Sequence, residues 1–172
     1  IRRTRNFTKS SEVARGDTTL VAVARPIRSL AELDAKANNI RLRWDIPTDL
    51  PPIDGEAIQI QQVILNLIRN AVDAMHDTDP EYRNIIVRAK MTAPHQIRLE
   101  VCDHGHGVKE DKSGDIFNAF FTTKKAGMGM GLAICRTIVR SHGGELGFRN
   151  NDTRLGGSGA TFFFTIPTRV NA

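Results

Sequence analysis

Residues 59–75 read QIQQVILNLIRNAVDAM, and this stretch sets the centre of the fold. Counted from Glu56 to Met75, it is the longest apolar-rich segment of the sequence, and only an α-helix accommodates about 20 such residues in one element. Five of its polar residues fall within an arc of roughly 80° around that helix. The sequence therefore predicts a buried helix with one narrow polar seam, which comprises Gln59, Gln62, Asn66, Asn70 and Asp73.

The polar seam has two interpretations. A solvated helix edge usually carries lysine and glutamate, whereas this seam carries four amides and one carboxylate. Amide carbonyl oxygens are hard donors of the kind that a hydrated Mg²⁺ accepts beside substrate phosphates. Asn66 and Asn70 lie one helical turn apart, so each can aim a carbonyl oxygen at the same point. The seam predicts either a solvent-facing edge or part of a magnesium site.

The flanking sequence predicts the remaining elements. Helical spacing over 20–38 places Val23, Ile27, Leu30, Leu33 and Ala37 on one face. A second helix is predicted over 129–142, with Gly143 and Gly144 suited to a left-handed cap. Alternation predicts strands over 40–46, 85–91, 97–103, 145–150 and 160–166. Strands joined mostly as hairpins, with helices between the groups, predict an α/β (α+β) two-layer sandwich whose mixed sheet is covered on one face.

Composition narrows the class of protein. The chain has 172 residues, 40% of them apolar, which fits one domain that buries its own core. Its net charge of +5 favours anionic partners. Nucleic acid ranks last among them, because a single Trp and a single Tyr offer few stacking platforms. Cys102 and Cys135 are in no metal-ligand spacing and predict reduced thiols.

Two glycine-rich loops suggest a ligand site. Asp103 ends an alternating strand and begins the string DHGHG, so a carboxylate stands at a turn where backbone can approach a ligand closely. An ordinary turn is the alternative. The string GMGMG at 127–131 runs into the helix at Leu132 and places free N–H groups where phosphate binds. Neither a P-loop nor a Rossmann loop fits, because this loop lacks the Lys-Ser/Thr ending and follows no buried parallel strand.

Two further segments adjoin these loops. Residues 122–125 read TTKK and can supply hydroxyls and positive charge to phosphates, with a basic surface turn as the alternative. Residues 156–161 read GGSGAT and predict a hairpin turn that leads into the last strand.

Taken in this order, these motifs resemble the ATP-binding domain of two-component sensor histidine kinases, which belong to the GHKL superfamily. The resemblance extends over about residues 20–167, and the strings at 59–75 and 120–144 are most similar to the oxygen-sensing FixL type. It implies the Bergerat fold, a mixed and mostly antiparallel sheet of about five strands covered on one face by three helices, with an ATP lid. Three residues depart from the usual motifs: His106 in the loop after Asp103, and Asn118 and Ala119 in the lid.

The resemblance also assigns roles to residues. Asn70 would ligate Mg²⁺, with Asn66 as a second candidate ligand and Asp73 close by. Asp103 would accept the amino group of adenine, assisted by Thr161 through water. Residues bordering the base would be Gly105 and Gly107. The lid would be 108–126, with Phe120 and Phe121 in its phenylalanine box. The glycines at the phosphates would be Gly127, Gly129 and Gly131, and further nucleotide-binding residues would be Thr122, Thr123 and Leu132. Lys124 would act with Asn66 and Asn70 as a catalytic residue.

The reaction implied is phosphotransfer and not hydrolysis. Hydrolysing GHKL proteins carry a glutamate that activates water four residues before the metal asparagine, and here that position is Asn66. An amide takes no proton from water, so the γ-phosphate of ATP would be kept for a histidine. His76 is not that acceptor, because it follows the metal helix directly and Pro80 comes one residue early. The alternatives are a GHKL ATPase, a serine kinase of the anti-sigma type, or a nucleotide-binding module without transfer activity.

The first residue is Ile1 and not Met, which predicts a piece of a longer protein, and the resemblance implies that this protein is bacterial. Residues 1–15 are expected to be a remnant of the dimerisation and phosphoacceptor helix with its linker, and residues 16–172 the catalytic domain. The resemblance then implies three partners: an upstream histidine-bearing dimerisation domain, a response-regulator receiver domain, and a second copy in a full-length homodimer. The domain is expected to be cytoplasmic, within a protein that is cytoplasmic or anchored in the inner membrane.

Overall fold

The structure is a computed structural model that describes residues 18–119, 129–151 and 159–169. The helices are α1 (Leu20–Ala37), α2 (Ala57–Ala74) and α3 (Gly131–Ser141). The strands are β1 (Arg41–Asp45), β2 (Asn84–Ala93), β3 (Gln96–Asp103), β4 (Leu146–Asn150) and β5 (Ala160–Pro167). Short 3-10 turns occupy Pro80–Tyr82 and Glu110–Lys112. The order and type of the helices and strands match the prediction, and each of their ends lies within two residues of the predicted one.

The strands form one mixed sheet in the order β1-β2-β3-β5-β4. β1 pairs with β2 in parallel, and every other pair is antiparallel. Paired residues share a face of the sheet, so the register Ala89↔Leu99↔Phe164 aligns three buried side chains towards the helices. The two-layer architecture with five strands and three helices is confirmed.

The core lies between the sheet and α2, which packs against both α1 and α3. The side chains of Ile60, Ile64, Leu67 and Ile68 on α2 are essentially inaccessible to solvent. Burying a side chain of this size contributes about 1.5–3 kcal/mol relative to leaving it exposed. The helix that carries the polar seam is therefore held firmly against the sheet by its buried face. Within the described ranges, no helix combines the length and apolar composition that a membrane crossing requires.

The buried face of α1 differs from the predicted one. The structure buries Leu20, Val23, Ala24, Ile27, Ala31 and Ala35, whereas Leu30 and Leu33 are 59% and 67% exposed. The buried face is turned by roughly a quarter turn from the predicted one. Small alanines at 31 and 35 let the helix backbone approach its neighbours closely, and the larger leucines face outward.

The end of α3 follows the prediction. Gly143 adopts a left-handed φ of +73°. Its N–H donates to Arg140 O at 2.9 Å, and the N–H of Gly144 donates to Val139 O at 3.0 Å, which together make a Schellman cap. His142, the capping residue, connects two helices: its Nε2 accepts from the backbone N–H of Glu56 at 2.9 Å, and its Nδ1 lies 2.8 Å from Ile138 O. This contact ties the start of α2 to the end of α3.

The face of the sheet away from the helices holds a buried carboxylate. Glu100 on β3 is 1% exposed and accepts from Arg88 Nε at 2.7 Å and from Arg149 at 3.3 Å. Burial alone would raise the pKa of Glu100, but the hydrogen bonds and charges of Arg149 and Arg88 outweigh it and lower the pKa. Glu100 therefore stays ionised and joins β2, β3 and β4 across the outer face.

Candidate nucleotide site

Asp103, the last residue of β3, is 2% exposed and is held by backbone. Its Oδ1 accepts from the N–H of Gly105 at 2.8 Å and from the N–H of Ala160 at 3.2 Å. Burial raises the pKa of this carboxyl, and the two backbone hydrogen bonds and the nearby histidines only partly offset that effect. Both bonds use Oδ1, which leaves Oδ2 as the oxygen suited to a ligand.

The backbone around Asp103 is packed too closely for side chains. Gly159 has a φ of +93°, and a Cβ there would lie 2.6 Å from Asp103 Oδ1. A Cβ on Gly105 would lie 2.4 Å from the carbonyl oxygen of Ala74, at the end of α2. That same oxygen accepts from the N–H of His106 at 3.2 Å. The predicted site residues Asp103 and Gly105 thus lie in contact, and the end of α2 packs against their loop.

The structure does not place Thr161 beside the carboxylate of Asp103. In the sheet register Thr161 pairs with Cys102, so its side chain lies on the outer face, while Asp103 pairs with Ile85 on the helix-facing side. The hydroxyl of Thr161 donates to Asn151 Oδ1 at 2.7 Å. The predicted contact from Thr161 through water to adenine therefore does not fit. The neighbouring Ala160 reaches Asp103 instead, through its backbone N–H.

Asn66 lies where α2 meets the start of α3. Its Nδ2 is 3.0 Å from the sulfur of Cys135, and a Cβ on Gly131 would lie 2.8 Å from both amide heteroatoms of Asn66. Burial raises the pKa of the Cys135 thiol, partly offset by the hydrogen bond with Asn66, so this sulfur is a neutral neighbour. Because Nδ2 is engaged, Oδ1 is the amide atom that Asn66 can offer to a cation.

The other residues of the seam differ in exposure. Asn70 is half-buried, while Gln62 and Asp73 are exposed. Gln59 donates from Nε2 to Glu56 Oε2 at 2.7 Å, at the start of α2. The seam thus contains one side chain held within its own helix, two half-buried asparagines and two exposed side chains. Asn66 and Asn70 are the amides of the seam that stand between the glycine loop and the Asp103 loop.

The start of α3 has the features of an anion site. Gly129 adopts a φ of +65°, and no acidic residue occurs in the first turn of the helix. The first N–H groups of a helix lack intrahelical partners and carry partial positive charge. Gly131 and the half-buried Leu132 begin the helix directly beside Asn66. A phosphate bound here would lie next to the seam of α2.

The helix α2 connects the two loops. Asn66 contacts Gly131, and Ala74 contacts Gly105, so the ends of the site lie about 12 Å apart along the helix axis. Asn70 lies between these two contacts. An adenine beside Asp103 and a phosphate chain extending towards Gly131 would therefore pass over Asn70.

Two asparagines in the site were not predicted from the sequence. Asn150 exchanges two hydrogen bonds with the backbone of Val108, and Asn151 donates to Asp103 O at 2.8 Å. Their sequence signal is an Asn-Asn pair directly after an alternating strand. Gly107, with a φ of +69°, lies against Asn150 as part of the predicted loop. The remaining predicted site residues lie outside the described ranges: Phe120, Phe121, Thr122, Thr123, Lys124 and Gly127.

Comparison with known proteins identifies the family. Residues 55–170 match the family described as histidine kinase-, DNA gyrase B-, and HSP90-like ATPase. The chain belongs to this ATPase family. It is 35% identical over 167 residues to the sensor protein FixL of Bradyrhizobium diazoefficiens, covering 97% of this chain and 32% of FixL. The chain thus spans about a third of that curated relative.

Two solved structures share the fold of this chain. Full-length ShkA in complex with AMPPNP superposes with a TM-score of 0.76 at 27% identity, covering 91% of this chain and 32% of ShkA. Histidine kinase ThkA in complex with the response regulator protein TrrA superposes with a TM-score of 0.70 at 26% identity, covering 88% of this chain and 41% of ThkA. The fold of this chain is therefore that of a histidine-kinase-type ATPase domain.

Proposed function

We propose that the chain is the catalytic domain of a sensor histidine kinase, which binds Mg-ATP and donates the γ-phosphate to a histidine. The observation that carries this proposal is the carboxylate of Asp103, buried at a strand end with Oδ1 fixed by two backbone N–H groups. The free oxygen Oδ2 is a directed acceptor, and the exocyclic amino group of adenine is a matching donor. Guanine presents a carbonyl oxygen at that position and would face the carboxylate unfavourably.

The seam on α2 supports the magnesium assignment. Asn70 and Oδ1 of Asn66 are the neutral oxygen donors that Mg²⁺ accepts when phosphate oxygens supply most of the charge. When bound there, the ion would neutralise phosphate charge as it develops. Asn70 would hold the ion and orient it above α2, and the first N–H groups of α3 would hold phosphate oxygens.

The residue at position 66 favours transfer over hydrolysis. Activation of water requires a base within hydrogen-bond reach of the attacking oxygen. Asn66 is not a base, and its Nδ2 is engaged with Cys135. ATP bound here would therefore turn over slowly until a stronger nucleophile, the imidazole of a histidine, is presented in line with the γ-phosphate.

The partners follow from the same assignment. The histidine would belong to a dimerisation domain upstream in a homodimeric protein, and the phosphoryl group would pass to an aspartate of a response regulator. ThkA in complex with TrrA supports a response regulator as the recipient. None of these partners is nucleic acid.

The proposal is tested with γ-labelled ATP. The chain alone should bind ATP, retain the label as ATP and stay unlabelled itself. Supplied in trans to the histidine-bearing region of its full-length protein, it should produce a phosphoryl group that is labile in acid and stable in base. Label on the chain itself, or acid-stable label on serine, would overturn the proposal. Bound ATP that is never consumed would support the nucleotide-binding module instead.

A further inference from the structure

The tip of β4 carries two adjacent asparagines that hold both ends of the Asp103 loop. Asn150 lies at the end of the strand, and its amide forms a ring with one backbone residue: Nδ2 donates to Val108 O at 2.7 Å, and Oδ1 accepts from Val108 N at 2.8 Å. Only one orientation of the amide satisfies both bonds. The side chain of Asn150 therefore bonds both the N–H and the C=O of Val108, as the backbone of a neighbouring strand would.

Asn151 holds the other end of the loop. Its Nδ2 donates to Asp103 O at 2.8 Å, and its Oδ1 accepts from the hydroxyl of Thr161 at 2.7 Å. A carbonyl oxygen only accepts, so the nitrogen of the amide must face Asp103 and the oxygen must face Thr161. The backbone N–H of Asn151 also donates to Gly159 O at 3.0 Å. Thr161 thus acts on the loop through Asn151.

The segment between the two anchors contains the residues that border the carboxylate of Asp103. Gly105 donates to that carboxylate at 2.8 Å, and Gly107 lies so close to Asn150 that a Cβ there would be 3.0 Å from Asn150 Oδ1. A loop fixed before the ligand arrives loses little conformational entropy on binding. Both asparagines come from the same strand end, so one rigid element sets the position of the whole loop.

We infer that Asn150 and Asn151 are positioning residues that preorganise the base-recognition loop, and that Thr161 fixes the amide of Asn151. This inference rests on the proposed adenine site at Asp103. Neither asparagine needs to touch the nucleotide. Their contribution is to hold Asp103 and Val108 in the binding geometry in the free protein.

Amide hydrogen exchange of the nucleotide-free chain tests the anchors directly. Asn150→Ala should accelerate exchange in residues 104–109, where the N–H of Val108 loses its acceptor, and should leave β2 and β5 unchanged. Asn38→Ala is the matched control, because Asn38 also donates to a backbone carbonyl, Asp34 O at 2.8 Å, at the distant end of α1. Unchanged exchange in 104–109 would overturn the inference whether or not the chain binds nucleotide.

Calorimetric titration with ADP and with ATP tests the consequence for binding. Asn150→Ala and Asn151→Ala should each weaken both nucleotides by the same factor, about threefold to tenfold, with melting temperatures well above the assay temperature. Thr161→Val should weaken binding in the same direction, and Thr161→Ser, which keeps the hydroxyl, should restore it. Unchanged affinities would refute the positioning role while leaving the adenine site intact. Failure of the wild-type chain to bind either nucleotide would instead refute the proposed function.

Discussion

The two ends of the candidate site are built in different ways. At the Asp103 end, a buried carboxylate is fixed by the backbone of Gly105 and Ala160, and glycines make room for that backbone. At the Gly131 end, the proposed chemistry depends on side chains along one face of α2, above all Asn66 and Asn70. Under the proposed function, recognition of the base is therefore set by the backbone of the fold, whereas the fate of the phosphates is set by the identity of a few side chains.

The largest effect is expected at the backbone-defined end. Asp103→Asn should weaken ADP and ATP about 100-fold, because the amide can keep the bonds to Gly105 and Ala160 only by turning its NH₂ towards the amino group of adenine. Calorimetric titration measures the loss. Asp45→Asn, on the exposed end of β1, is the matched control and should bind normally. Equal affinities for Asp103→Asn and the wild type would show that Asp103 does not bind adenine.

The raised pKa of Asp103 gives this end a dependence on pH. Ionisation is penalised in the folded state, so the contribution of Asp103 to the free energy of unfolding is largest below the usual pKa of an aspartate. It is lost as the pH rises through the raised pKa. Nucleotide affinity should have the opposite pH dependence, because the amino group of adenine needs the ionised carboxylate of Asp103 as its acceptor.

Affinity for ADP should therefore fall as the pH is lowered through that raised pKa, by up to about tenfold per pH unit. Titrations at a series of pH values measure the slope. Asp103→Asn should lose this pH dependence and, without nucleotide, should resist urea better than the wild type above the raised pKa. A wild-type slope that persists in Asp103→Asn would assign the titration to another group.

A smaller and selective effect is expected at the side-chain end. Asn70→Ala should weaken ATP at least about tenfold in the presence of Mg²⁺ and leave the affinity measured in EDTA nearly unchanged. Titrations with and without the metal separate the two contributions. Gln62→Ala, an exposed amide of the same seam, should match the wild type in both conditions. Equal losses with and without Mg²⁺ would mean that Asn70 supports the fold or the base and not the metal.

The smallest effect concerns the chemistry at position 66. Asn66→Glu introduces a base and should raise the basal hydrolysis of ATP about threefold to tenfold, measured as phosphate release. The longer side chain must fit beside Gly131 and Cys135, so Asn66→Glu with Cys135→Ala should hydrolyse faster still. Asn66→Gln has the same length without a base and should stay at the wild-type rate. A flat rate in both glutamate variants would show that position 66 does not control the attacking water.

Much of the fold could be predicted because the spacing of apolar residues and the glycines that end an element are local features of the sequence. The apolar run of α2, the alternation of the strands and the glycines after α3 are all visible in the sequence, and each formed as expected. The predicted buried face of α1 was wrong. The larger apolar area of Leu30 and Leu33 favours their burial in a sequence-based prediction, whereas close helix packing favours burial of the smaller Ala31 and Ala35.

The structure brings predicted site residues together where they adjoin at the end of an element, and the prediction missed contacts that depend on tertiary pairing. Asp103 and Gly105 meet because they adjoin in sequence. Thr161 faces away because the register of β5 against β3 decides the face of each residue, and one step along a strand reverses it. The contacts of Asn150 cross 42 residues of chain, and no local pattern records them.

The close packing of Gly131 and Cys135 around Asn66 also constrains how the activity of such a site can change in evolution. A Cβ on Gly131 would collide with its amide, and Cys135 occupies the other side. Exchange of the amide for a longer, acidic side chain therefore depends on the residues that α3 presents. The passage between a phosphate donor and a hydrolase would thus be epistatic: a glutamate at position 66 should reach its full activity only in a background where smaller residues on α3 make room for it.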